Sequence, residues 1–222
     1  MAVERYENEM DGETVVVPVG TPLSEVPDDF RELLAPDVEA AFIKAHTFFK
    51  GLPERAVLPE FRQWLTILAE AGLKAMELHT SEYVGNAVLF RFELNNGMSP
   101  AITLPQSAAR LQLPDTLRSI YQVIGSTKHA EQEMAGGLLP AQEICTIAEM
   151  GTWLIDEPAD DPSQCHVFHG TTHGDNMCFK LDDTAVWYAH EIGDFMRFGT
   201  VRDFLSAYFA ALMEGEELQP EY

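Results

Sequence analysis

The amino-acid sequence predicts an α+β fold, a mostly antiparallel sheet flanked by helices. Some segments repeat apolar residues every three or four positions, as Phe61, Trp64, Leu65 and Leu68 do, which is the spacing of a helix that buries one face. Others alternate, as Val88, Phe90 and Phe92 do before Asn95-Asn96-Gly97, and are joined by turns too short for a parallel crossover. With 222 residues, 46% of them hydrophobic and 23% charged, the chain can fill a core under such a sheet.

Residues 1 to 39 are rich in Asp, Glu and Pro and read as a loosely ordered arm interrupted by one strand, Thr14 to Val19. Asp37 to Lys50 forms a helix with Val38, Ala41, Phe42, Ala45 and Phe49 on one side, stopped by Gly51-Leu52-Pro53. Pro59 opens a second helix through Gly72. Strands follow at Ala75 to His79, Ala87 to Leu94 and Ala101 to Leu104. Pro105 marks a boundary that divides the chain into an extension, 1–103, and a domain, 104–222. Beyond it come a short helix, Gln106 to Leu111, and a longer one from Leu113-Pro114-Asp115, with Leu117, Ile120, Tyr121 and Ile124 on one face and Gly125 as a left-handed cap.

Ser126 to Gly137 is polar and reads as a loop, Pro140 to Ala148 as helical, Trp153 to Ile155 as extended, and Asp156 to Asp161 as an exposed acidic loop. The last sixty residues form a meander. Cys165 to His169 leads through the turn Thr172 to Asn176 into Met177 to Leu181, Asp182-Asp183 turns it back, and Ala185 to His190 precedes a loop. Thr200 to Met213 closes it as a helix, with Thr200 as cap, Asp203 three residues on, and Val201, Phe204, Leu205, Tyr208, Phe209 and Leu212 as the buried stripe.

The formal net charge is -22, from 36 acidic against 14 basic residues. Such a field repels phosphates and anionic lipid heads, which argues against nucleic acid and membrane as partners and favours a basic protein. No basic segment followed by an apolar run begins the chain, and no apolar segment approaches membrane-spanning length. Cys145, Cys165 and Cys178 lack framework spacing, which suits reduced thiols and a cytoplasmic location.

Five pieces taken together resemble the SUKH superfamily, the Smi/Knr-like proteins: Leu113 to Gly125, Leu139 to Ile144, Phe168 to Asp183, Val186 to Glu191, and Thr200 to Leu205. Their order matches a Leu-Pro helix ending near Gly, a Leu-x-x-x-Glu-Ile step, a Gly-Asp strand, a Val-Tyr-like strand and a terminal helix with a Phe-Leu pair. The chain departs from the family at Ile124, where Asn is usual. The resemblance covers about residues 104 to 213 and implies an interaction module. Bacterial members of the family are immunity proteins that bind and neutralise a toxin, often a nuclease, delivered by a neighbouring cell; fungal relatives are regulatory scaffolds. A nuclease toxin is basic where it grips phosphates, so an acidic inhibitor complements it.

The expectation is therefore a non-enzymatic binder of a basic effector toxin that needs no cofactor or metal. Its partner-binding residues are expected to be Asp156, Glu157, Asp160, Asp161, Asp182, Asp183, Glu191 and Asp194, with Trp187 and Tyr188 as aromatic candidates, one of them facing the core. Two alternatives stand beside it, a regulatory scaffold and a zinc-dependent hydrolase centred on Cys165, His169, His173 and Cys178. In the latter, Cys165 and His169 share a face if the strand is regular. Cys145 as a nucleophile has no assigned base and reads as a buried thiol, and His190-Glu191 as the end of a strand. Gly-x-Ser-x-Gly, phosphate-loop and dinucleotide motifs do not occur in the sequence.

Overall fold

The computed structural model describes residues 2–8, 12–34, 37–81, 87–105, 112–129, 136–171, 173–216 and 218. The helix expected at Gln106 to Leu111 lies outside them. The fold is α+β, with two antiparallel sheets.

The first sheet has six strands in chain order, β1 (Glu4–Asn8), β2 (Gly12–Pro18), β3 (Leu73–Ser81), β4 (Ala87–Phe92), β5 (Pro100–Thr103) and β6 (Ser126–His129). Between β2 and β3 run α1 (Asp28–Arg31), α2 (Val38–Lys50) and α3 (Pro59–Ala71). Strand alternation turns Val15, Val17, Met76, Leu78, Phe90, Phe92 and Ile102 inward against these helices. Phe49 of α2 packs edge-on against Phe90 and Phe92, 5.2 Å between ring centroids in both cases.

Two expectations fail here. The amino-terminal arm supplies strand β1, because its residues pair with β2 from Glu4 to Asn8. Ser126 to His129 is strand β6, not loop, since it completes the pairing of β5. Polar Ser126 and Thr127 read as a loop in isolation, yet both are buried, with Thr127 Oγ1 2.7 Å from Tyr208 OH and accepting from Leu138 N–H. The first sheet thus crosses the expected boundary at residue 104.

Helix α4 (Asp115–Tyr121) ends without a left-handed glycine, because Gly125 has no positive φ. That glycine serves a close approach instead: a Cβ there would lie 2.3 Å from the Leu104 carbonyl oxygen.

The second sheet runs β7 (Gly137–Leu138), β8 (His166–Gly170), β9 (Asn176–Phe179), β10 (Thr184–Ala189) and β11 (Asp194–Thr200), in chain order across the sheet. Strand β11 replaces the loop expected before the last helix. Segment 140–148 is not one helix but a 3-10 turn, Ala141–Glu143, and a separate short α5 (Ile147–Met150). Helix α6 (Val201–Glu214) is capped as expected, Thr200 accepting from Asp203 N–H and Asp203 accepting from Thr200 N–H.

This sheet is buried on both faces. Phe168, Met177, Phe179, Ala185 and Trp187 join the main core under α6, while Val167, Cys178, Val186 and Tyr188 point the other way, onto Ile147 and Cys165. Helix α6 also ties the two halves of the chain together, with Phe209 4.6 Å from Phe61 and 5.3 Å from Trp64 of α3.

The outer face of the first sheet carries a buried charged group. Glu77, 1% exposed, is paired with Arg91 and with His79 Nε2 at 3.1 Å; Thr14 Oγ1 lies 2.9 Å from His79 Nδ1. Burial first, then the Lys128 cation, lowers the His79 pKa from 6.5 to about 4. The neutral ring is the one that donates to Glu77 and accepts from Thr14, and Glu77 already meets the Arg91 cation. Because the folded pKa lies below the unfolded one, the unfolded chain takes up the proton first as pH falls. The resulting stability is present above pH 6.5 and lost as pH drops toward 4, by about 3 kcal/mol in all. Melting curves of wild type and His79→Gln across that window should converge in pH dependence elsewhere and differ inside it; parallel curves throughout would rule out a neutral His79.

Candidate protein-binding surface

The expected acidic residues separate by what each already does. Asp160 is held by Lys180 at 2.6 Å. Asp161 accepts from Ser163 N–H at 2.9 Å and starts the 3-10 turn before β8. Asp194 accepts from Ala159 N–H at 2.7 Å and Phe195 N–H at 2.8 Å, tying the acidic loop to the start of β11. Asp182 accepts from Thr184 N–H at 3.0 Å, as turn aspartates do. Asp183, at φ 69, is the left-handed residue of that turn, and its carbonyl accepts from Val201 N–H at 3.0 Å. Burial, then Asp203, Asp115 and Asp182, raise the Asp183 carboxyl above its ordinary range.

Asp156, Glu157 and Glu191 remain. All three are exposed, and none makes a hydrogen bond or ion pair within the described residues. Ile155 N–H donates to Gly193 O at 3.0 Å, which sets the loop after α5, carrying Asp156 and Glu157, beside the turn between β10 and β11, carrying Glu191. Asp182 and Asp183 lie at the other end of β10, six residues or about 20 Å away, where they line a groove of about 440 Å³ with Asp115, Arg118 and Leu181. The eight expected acids therefore do not form one patch.

Neither aromatic candidate is available to a partner. Trp187 is 3% exposed and packs edge-on against Phe204 at 5.6 Å, because its face of β10 is covered by α6. Tyr188 on the opposite face is also buried, and its hydroxyl donates to the Trp153 carbonyl. Simple alternation frees one of the two only when one face of a sheet meets water, which is not so here.

The exposed aromatic beside the acidic loop is Trp153, at 59%, with Ile192 at 45% in the neighbouring turn. Its ring lies over Gly193: a Cβ there would come within 2.3 Å of Cζ3 and 2.4 Å of Cε3. The signal in the sequence was the lone Trp at the mouth of the acidic loop, followed by Gly193 in the facing turn.

The proposed zinc ligands are split. A bulge in β8, where Val167 pairs with Cys178 but His169 pairs with Met177, adds one residue and shifts the alternation. His169 therefore points under α6, 5.1 Å from Phe204, while Cys165 and Cys178 lie on the opposite face. Burial pushes the Cys165 thiol up to about 12 and raises Cys178 well above its ordinary value. Cys145 is also raised, by burial and then by Glu149 and Glu143, which disfavours the thiolate a nucleophile needs. Among the described residues no group of three or more His, Cys, Asp and Glu side chains is placed to hold a metal ion. No helix among them is long and apolar enough to cross a membrane.

No family model, curated protein or solved structure matches this chain.

Proposed function

We propose that this protein is an immunity protein of the SUKH type, which binds a basic effector toxin through an acidic surface and does no chemistry on it. The observation that carries this is the set of Asp156, Glu157 and Glu191, three exposed carboxylates that the fold itself does not use. The surrounding sequence supplies almost no opposing charge: Lys180 is the sole Lys or Arg between Lys128 and Arg197, and it is paired with Asp160. A field of one sign speeds encounter with a basic protein and rejects acidic ones. The ordered resemblance of residues 104 to 213 to the SUKH pattern supports the same role, with a cytoplasmic toxin target.

The test is growth. Each gene neighbouring this one is expressed alone and together with this chain. One neighbour should arrest growth alone and be harmless in the pair, and Asp156→Lys/Glu157→Lys/Glu191→Lys should lose the protection. A toxic neighbour that the triple variant still neutralises, or neighbours that are all harmless, would overturn the proposal.

A further inference from the structure

We infer that Trp153 is the anchor of this surface and that it receives an arginine side chain of the basic partner on its open face. The inference rests on the acidic face being the partner-binding one, and adds what that face recognises.

Three observations carry it. The first is exposure of a large aromatic side chain that the fold holds still. The Trp153 carbonyl accepts from the buried Tyr188 hydroxyl, Ile155 N–H is fixed to Gly193 O at 3.0 Å, and one side of the indole ring rests on Gly193. Gly193 has φ 63 and no side chain, so the ring lies close against the turn; any larger residue would displace it. An indole with its position already set loses little conformational entropy when a partner covers it. The second is a neighbouring apolar side chain, since Ile192 beside Gly193 is 45% exposed. Such a small apolar centre with a polar rim is the layout of an interface centred on a few dominant contacts.

The third is the chemistry of the rim. Asp156 and Glu157 follow Trp153 on the loop, and Glu191 precedes Gly193 on the turn, so both segments that hold the ring carry exposed carboxylates. A cation over an indole face gains from the ring quadrupole, and carboxylates beside it add charge-assisted hydrogen bonds. Arginine fits better than lysine, because its planar guanidinium stacks on the ring while its edge stays free to meet carboxylates in a fork.

The other two tryptophans, Trp64 and Trp187, are 0% and 3% exposed, so Trp153 is the chain's solvent-facing tryptophan. The full chain is titrated with an oligo-arginine peptide and with an oligo-lysine peptide of equal length at physiological salt, following tryptophan emission and, independently, heat. The expected result is a change in emission on arginine binding and roughly three- to tenfold tighter binding of arginine than lysine, a preference that Trp153→Ala removes. The variant's melting temperature should match wild type, since the bond from Tyr188 uses only the backbone carbonyl. Equal affinities for the two peptides, or a preference that survives Trp153→Ala, would overturn the anchor. Failure of the underlying proposal looks different: Asp156→Lys/Glu157→Lys/Glu191→Lys would then leave binding of both peptides unchanged.

Discussion

Replacing Phe209 with alanine should lower the free energy of unfolding by about 3–5 kcal/mol. Phe209 is 0% exposed and is the residue of α6 that enters the helical layer of the first sheet, where it packs against Phe61 at 4.6 Å and Trp64 at 5.3 Å. It also touches Tyr208 at 5.0 Å on its own helix. Truncation removes the contacts of three aromatic rings and leaves a cavity that α3 and α6 cannot close without shifting both. The seam joins residues from both sides of position 104, so the effect should be global. Urea unfolding should show one transition, moved to lower denaturant with its slope unchanged. Two separated transitions, or a loss below about 1 kcal/mol, would mean that the halves do not share a core.

The second large effect is expected at the buried pair Glu77 and Arg91. Changing Glu77 to leucine alone should cost about 3–5 kcal/mol, because Arg91 is left as a largely buried cation without its carboxylate. The His79 Nε2 contact at 3.1 Å is lost with it. Glu77→Leu/Arg91→Met, which removes both charges and keeps apolar volume, should recover most of that loss, since two desolvated charges contribute little net stability when paired. Chemical denaturation of the single and double variants decides the matter. A double variant no more stable than the single would show that the pair holds the sheet by more than mutual neutralisation.

The local periodicities of this chain were legible from sequence. Phe61, Trp64, Leu65 and Leu68 are the buried face of α3, and Thr200 with Asp203 forms the cap of α6. Strands β3, β4, β5 and the β8–β10 meander follow from alternation and turn residues. What could not be read was long-range. Strand β1 carries the exposed Glu4 and Glu7, and is a strand because β2 offers an edge. Ser126 to His129 has the composition of a loop and is ordered by β5. The bulge at Phe168 moved His169 away from the cysteines, and one inserted residue is enough to reverse a face assignment.

The site shows the same division. Exposure of Asp156, Glu157 and Glu191 followed from composition and turn propensity. The internal duties of Asp160, Asp161, Asp182 and Asp194 did not, because a capping or tethering carboxylate has the same sequence signature as a free one. Trp187 was misplaced for a related reason: alternation gives a face, but only the packing of α6 and α5 on opposite sides of the sheet shows that both faces are covered.

The central claim is that the surface built from the loop after α5 and the turn between β10 and β11 is where the partner binds. Hydrogen exchange measured on this chain alone and in complex with the toxic neighbour that it neutralises tests this most directly. The prediction is slowed exchange at residues 151–159 and 190–193, with little change on the exposed side of α2. Unchanged exchange in those two segments, with protection elsewhere on the chain, would contradict it.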